Sequence, residues 1–103
     1  MPTPRIAFGD LARLDQATLA QLLRTVDANV WVLALAAAEE VFVERIADLM
    51  PRPTAKAFRK RLRQLGPTRL SDIEAAQQEV VAAAVQILRQ RAPSYAASTA
   101  PAR

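Results

Sequence analysis

The longest uninterrupted apolar stretch, Val30 to Ala38, most limits the folds open to this chain. It contains nine residues, whereas a membrane-spanning helix needs about 20, so it predicts a buried helix and no membrane span. A helix that is apolar on all sides needs neighbours on all sides, because none of its faces favours water. The stretch therefore predicts a domain that packs around one central helix.

The composition favours helices for the rest of the chain. The 103 residues are enough for one domain with one core, and 51% of them are hydrophobic. Alanine and leucine, which lose little conformational freedom in a helix, dominate this fraction, and the chain has only two glycines. No strand-like alternation persists. We therefore predict an all-α fold, a compact bundle of five to six short helices.

Capping residues and prolines divide the chain into these helices. Asp15 and Asp27 each precede an apolar helical pattern, where a carboxylate can accept the free amide hydrogens of the first turn. Gly66 followed by Pro67 is typical of a helix end. The later helices are predicted from about Glu39 to Met50, from the Pro51–Pro53 segment to Leu65, and onward from Ser71, which forms a capping box with Glu74.

Three parts of the chain are distinguished by composition. Residues 1–7 are predicted to be an extended lead-in, because Pro2 and Pro4 oppose a helix. Residues 8–91 form the predicted helical domain. Residues 92–103, rich in Pro, Ser, Thr and Ala, are predicted to be a disordered tail. Because no apolar segment follows Met1, we expect no secretory signal and a cytoplasmic location.

The absence of two residue types excludes several kinds of chemistry. The sequence contains no cysteine and no histidine. Disulfides are therefore impossible, and zinc sites built on thiolate or imidazole are excluded. Catalysis that depends on histidine or cysteine is excluded as well. We expect a protein that is not an enzyme and that carries no cofactor and no metal.

One segment concentrates positive charge in a chain whose net charge is +4. No acidic residue lies between Met50 and Ser71. Four of the cations are spaced at i, i+4, i+7 and i+11, which places them on one helical face, separate from the apolar face of Phe58, Leu62 and Leu65. The candidate partner-binding residues of this basic segment are Arg52, Lys56, Arg59, Lys60, Arg61, Arg63 and Arg69.

The basic segment permits three interpretations. It can be a solvated face, or one paired within the molecule to the acidic series Glu40, Glu44 and Asp48. It can instead bind an acidic protein surface, since like charges at i, i+4 repel and a helix that retains them without acidic relief suggests a binding face. Nucleic acid is the weakest alternative, because the helix has no interleaved exposed aromatic residues.

The segment from Leu65 to Gln78, LGPTRLSDIEAAQQ, carries a recognisable motif. A turn of Gly66, Pro67, Arg69 and Leu70 leads into a helix that carries Glu74 and Gln77. This motif resembles the signature of the C-terminal domain of the flagellar motor switch protein FliG. The resemblance covers roughly residues 5–91, with Phe8 in the place of the last phenylalanine of the family's interdomain linker.

The resemblance implies a role in the cytoplasmic switch ring of a flagellar motor. In that family a charged helix meets the cytoplasmic part of the stator and transmits torque. The implied partners are therefore the stator's cytoplasmic loop and other switch-ring proteins. The implied location is the cytoplasmic face of the flagellar basal body.

The charged positions of the domain differ from the family pattern. Ala36 replaces a lysine and Pro53 replaces an arginine, whereas Arg69 keeps the family charge. Lys60 and Arg61 stand where the family has an acidic pair, which reverses the sign. The reversal predicts an acidic partner, and it leaves open the alternative of a FliG-like scaffold or adaptor outside the motor.

Overall fold

The computed structural model describes residues 7–99. A short 3-10 helix spans Phe8–Arg13 and is followed by five α-helices: α1 Gln16–Thr25, α2 Ala28–Leu35, α3 Glu40–Ala47, α4 Arg52–Arg63 and α5 Leu70–Thr99. The described residues contain no strand, so the prediction of an all-α bundle is confirmed. Of the predicted lead-in, residues 1–6 lie outside the described part of the chain.

Two aspartates begin helices as predicted. The Asp15 carboxylate accepts a hydrogen bond from the Thr18 backbone nitrogen at 3.2 Å. The Asp27 carboxylate accepts one from the Asn29 nitrogen at 2.9 Å. Each bond occupies an amide hydrogen that has no partner inside the helix. These caps fix the starts of α1 and α2.

The central helix is α2, which packs mainly against α5 and also contacts α4. Trp31, Val32, Ala34 and Leu35 are all buried, in agreement with the apolar stretch that predicts a central helix. On α5 the buried positions recur with helical spacing, at Ile73, Ala76, Val80, Ala84 and Ile87. The two buried faces meet to form the core of the bundle.

Several boundaries differ from the prediction. Helix α3 ends at Ala47, three residues before Met50, and residues 48–50 form turns before Pro51. Helix α5 begins at Leu70, and the Arg69 carbonyl accepts bonds from the nitrogens of residues 72 and 73. Ser71 therefore lies inside the first turn and is not the predicted cap. Helix α5 ends at Thr99, and residues 100–103 of the predicted tail lie outside the described part of the chain.

Arg45 on α3 connects two elements that no sequence pattern links. Its guanidinium donates hydrogen bonds to the backbone carbonyls of Ala12 and Leu14, the latter at 2.6 Å. Both carbonyls lie at the end of the 3-10 helix, which also contacts α3 through the rings of Phe8 and Phe42, with centroids 5.2 Å apart. Arg45 thus helps to hold the N-terminal segment against α3, which in turn borders α4.

Candidate functional site

Helix α4 carries six cations, and its apolar side fixes their direction. Ala55 and Phe58 are buried, and Leu62 is half-buried against the core. Pro51 precedes the helix and Pro53 lies in its first turn, where a missing amide hydrogen is harmless. After α4 ends, Gly66 adopts a φ of +69°, a conformation that favours glycine. Because Ala55 and Phe58 face the core, the charged residues of α4 lie on its other sides.

The cations divide between two flanks and the outer surface of α4. At about 100° per residue, one side toward α3 carries Arg52, Lys56, Arg59 and Arg63. Lys60 lies nearly opposite the buried side and is exposed. Arg61 lies on the other flank, toward the start of α2. We call these six residues the basic face of α4.

Arg59 is turned onto α3 and forms the shortest ion pair among the described residues. Its Nη2 lies 2.7 Å from Glu44 Oε1, and its Nε donates to Glu44 Oε2 at 3.1 Å. A second carboxylate, that of Asp48, lies 3.8 Å from Nη2. This two-bond geometry matches the fork of a guanidinium to a carboxylate. Arg59 therefore adopts the internally paired arrangement that the sequence left open.

The ion pair shifts the pKa of both groups. The hydrogen bond from Arg59 lowers the pKa of the Glu44 carboxyl, desolvation opposes this shift, and the positive charge adds to the lowering. The same hydrogen bond raises the pKa of Arg59. Because the folded-state pKa of Glu44 is depressed, the pair stabilises the fold above the unfolded-state pKa. That stabilisation is lost as the pH falls through the folded-state pKa.

Glu44→Gln is accordingly expected to lower stability at neutral pH and to have little effect in acid. The difference from the unsubstituted chain should shrink as the pH falls below the ordinary glutamate value of 4.5 and then through the depressed pKa of the folded state, since both chains are then uncharged at position 44. Urea unfolding at a series of pH values measures this difference. Glu40→Gln, an exposed position on the same helix, is the control, and a pH-independent effect of Glu44→Gln would contradict the assignment.

Two further cations have local partners. Arg61 Nη2 donates a hydrogen bond to Asn29 Oδ1 in the first turn of α2. Arg69 Nε lies 3.3 Å from Asp72 Oδ2, three residues further along the chain. The Arg69 side chain remains 83% exposed, and Arg61 is also exposed, so both stay accessible.

The remaining four cations make no ion pair with any residue that the structure describes. They are Arg52, Lys56, Lys60 and Arg63. All four are exposed. No carboxylate lies between them along the chain, so their charges repel by a few tenths of a kcal/mol per neighbouring pair. An acidic surface brought against α4 would relieve this repulsion.

The structure brings six of the seven predicted site residues together on one helix. Arg69 lies apart, beyond the Gly66 turn at the start of α5. The family-pattern positions Ala36, Pro53, Lys60, Arg61 and Arg69 are all exposed. Lys60 and Arg61 are altered to cations and Arg69 is an unaltered cation, so every charged residue of this set presents a positive charge to solvent.

Three findings on the described residues bear on interpretations other than protein binding. Phe42 and Phe58 are buried, so neither can stack on a base, and this weakens the nucleic-acid interpretation. Across the residues described, no acidic cluster has the three or more ligands expected of a metal site. Nor does any helix of the described part have the length and apolarity needed to cross a membrane.

Asn29 and Arg45 were not foreseen as residues that position the site. Asn29 accepts the hydrogen bond of Arg61 from another helix. Arg45 orders the segment next to α3 through bonds to backbone carbonyls. Sequence spacing gives no signal for either contact, because the partners are about 30 residues apart along the chain, and the contacts of Arg45 are to backbone carbonyls.

Comparison with known proteins places the chain beside one family. A model of the FliG C-terminal domain matches residues 5–91. The flagellar motor switch protein FliG of Pseudomonas aeruginosa is 36% identical over 74 residues, which are 72% of this chain and 22% of that protein. FliG of Thermotoga maritima is 35% identical over the same length and shares of the two chains.

Solved structures agree with this match. Full-length FliG from Aquifex aeolicus superimposes with a TM-score of 0.78 at 30% identity, over 82% of this chain and 26% of that one. A FliG fragment from H. pylori gives a TM-score of 0.80 at 20% identity, over 82% of this chain and 40% of the fragment, and supports the fold alone.

These matches confirm the resemblance carried by the Gly66–Leu70 turn. They also agree with the prediction that the chain is not an enzyme, since the relatives are named as motor switch proteins. The chain spans about a fifth of the length of these curated relatives, 22% in both cases.

Proposed function

Because the chain belongs to the FliG C-terminal domain family, we propose that it is a rotor component of a flagellar motor switch that docks on the stator through α4. The stator segment it meets is acidic and cytoplasmic, and the contact transmits torque. This assignment places the chain at the cytoplasmic face of the basal body, next to other switch-ring proteins. The printed names of the relatives, flagellar motor switch proteins, supply the motor context.

One observation carries the choice of partner charge. The basic face of α4 has six cations and no carboxylate, and only Arg59 is neutralised by a carboxylate of the described residues. Complementary charge sets the register and the specificity of docking more than it sets raw affinity. An acidic stator segment fits this face, whereas a basic segment would meet repulsion along the length of the helix.

A second candidate is a FliG-like scaffold or adaptor that binds an acidic protein outside the motor. The observation that favours it is the sign at Lys60 and Arg61, which is opposite to the acidic pair of the family pattern. The two candidates use the same face of α4 and the same partner charge. They differ only in which protein supplies the acidic surface.

Direct binding of the stator's cytoplasmic segment to the purified chain tests the proposal. We expect Lys56→Glu combined with Lys60→Glu to weaken binding about tenfold or more, and added salt to weaken the binding of the unsubstituted chain. Both lysines are exposed and make no ion pair with a described residue. Isothermal titration calorimetry at two salt concentrations measures both effects.

The matched control replaces two exposed arginines elsewhere, Arg13→Glu and Arg89→Glu, with the same change in net charge. We expect this control to retain most of the affinity. Equal losses in the two double variants would indicate a net-charge effect and count against α4 as the site. If the stator segment does not bind the unsubstituted chain, the scaffold alternative replaces the motor assignment.

A further inference from the structure

An apolar groove of about 360 Å³ opens on the flank of α4 that faces α1. Its walls come from α1, α2, α4 and the connection between α3 and α4. Leu23, Trp31, Met50 and Phe58 supply the large apolar side chains, and Arg24 and Thr54 also line it. The volume falls in the range of about 300–1,000 Å³ typical of ligand pockets.

The groove exposes apolar surface that the fold itself leaves uncovered. Trp31 and Phe58 are almost fully buried and form part of the core, whereas Leu23 and Met50 are only half-buried. Apolar surface left in water is unfavourable, and a flexible methionine adapts to the shape of an incoming side chain. These features describe a site for a large apolar side chain.

The charge on the lining of the groove is positive. Its lining includes Arg24 and no carboxylate. Arg24 is exposed and has no ion pair within the part of the chain that the structure describes. The Asp27 carboxylate accepts the Asn29 amide hydrogen at the start of α2 and is not among the residues that line the groove. An acidic segment therefore suits the rim better than a basic one.

The groove adjoins the basic face. Phe58 and Arg61 are three residues apart, so their side chains are neighbours on α4, and Lys60 lies further around the same helix. Arg61 also reaches the first turn of α2, which contributes Ala28 to the groove. A partner that lies across Lys60 and Arg61 can therefore also reach the opening of the groove.

We propose that this groove receives a large apolar side chain, leucine or phenylalanine, from the acidic protein segment that docks on α4. The proposal takes its acidic partner from the proposed function. It adds that an apolar side chain of that partner, the anchor, enters the groove. Rim charges contribute little affinity on their own, whereas an apolar side chain in a desolvated pocket contributes much of the binding energy in many interfaces. The cations then orient the segment and the groove holds it.

Two synthetic peptides test the anchor: Glu-Glu-Leu-Phe-Glu-Glu, and Glu-Glu-Ser-Ser-Glu-Glu, which has the same charge. We expect the first to bind about tenfold or more tightly, since it buries an apolar side chain that the second lacks. The fluorescence of Trp31, the only tryptophan of the chain, should shift with the first peptide. Titration of the purified chain with each peptide measures both quantities.

Thr54→Phe is designed to fill the groove from its rim. Thr54 is exposed, so we expect the variant to fold and to bind both peptides equally weakly. Ala82→Phe, at an exposed position of α5, adds the same side chain away from the groove and should keep the preference. Circular dichroism of both variants verifies that they are folded.

The outcomes separate the anchor from the proposed function. Equal affinities for the two peptides, with binding that depends on Lys60, would overturn the anchor and leave the acidic docking face intact. A preference for the apolar peptide that Lys60→Asp does not weaken would support the groove and count against the docking face. Concentration-dependent self-association that Thr54→Phe abolishes would identify a second copy as the occupant and overturn the peptide proposal.

Discussion

Reversal of Lys60 and Arg61 to aspartate is expected to abolish swimming in cells whose only copy of the chain carries K60D and R61D. Both positions are exposed, Lys60 on the outer surface of α4 and Arg61 on its flank toward α2. The substitutions would bring carboxylates against an acidic partner, and like charges set against each other at an interface cost several kcal/mol. Spreading in soft agar and rotation of tethered cells measure the effect, with the cellular level of the chain measured in parallel.

Two controls separate docking from folding. Asn29→Ala removes the acceptor of the Arg61 hydrogen bond and keeps both cations, so it should leave swimming intact. Replacing acidic residues of the stator segment by lysine should restore rotation to the reversed chain, because the charges again complement each other. Normal swimming of the K60D and R61D cells would refute the assignment of these residues to the stator contact.

Trp31→Ala is expected to lower the free energy of unfolding by about 3–5 kcal/mol, the usual cost of truncating a buried aromatic residue. Trp31 is 1% exposed and lies in the central helix, against the core of the bundle. Such a loss is a large part of the total stability of a small domain, about 5–15 kcal/mol. Urea unfolding followed by far-ultraviolet circular dichroism measures the effect without the tryptophan signal.

Trp31→Phe should cost much less. The Trp31 Nε1 atom is buried, and the structure gives it no hydrogen-bond partner among the described residues, so its removal forfeits no bond. Phenylalanine keeps most of the ring contacts and removes a donor that is costly to bury without an acceptor. Similar losses for Trp31→Phe and Trp31→Ala would contradict this account.

Local chemistry in the sequence predicts much of the fold. The carboxylates of Asp15 and Asp27 cap α1 and α2, because a cap depends only on residues within one turn. The stretch from Val30 predicts a central helix because its lack of a polar face already demands burial. Gly66 predicts the end of a helix, where glycine often adopts the left-handed conformation, and its φ of +69° agrees.

The prediction is wrong at two helix ends. The sequence predicts a helix from Glu39 to Met50, but α3 ends at Ala47. Ser71 and Glu74 have the spacing of a capping box, yet the Arg69 carbonyl accepts the first bonds of α5. Helix ends depend on the preceding turn as well as on the capping residues.

The candidate site was predicted as a set, but its members differ in role. Spacing places Arg52, Lys56, Arg59 and Arg63 on one face and treats them as equivalent. In the structure Arg59 lies nearest the core side of that face, where Glu44 on α3 is within reach. Which cation meets a carboxylate depends on how α3 and α4 cross, and no pattern along one helix contains that information.

The Arg59–Glu44 pair has a mechanical consequence for a helix that is loaded from outside. Apolar packing through Ala55 and Phe58 resists separation of α4 from the body, but it has no preferred direction and resists sliding weakly. The two hydrogen bonds to Glu44 are directional, so they resist shear between α3 and α4. If the proposed partner loads α4, a tangential force on the outer lysines would pass to α3 through this pair, and the Arg45 hydrogen bonds would connect α3 to the carbonyls of Ala12 and Leu14.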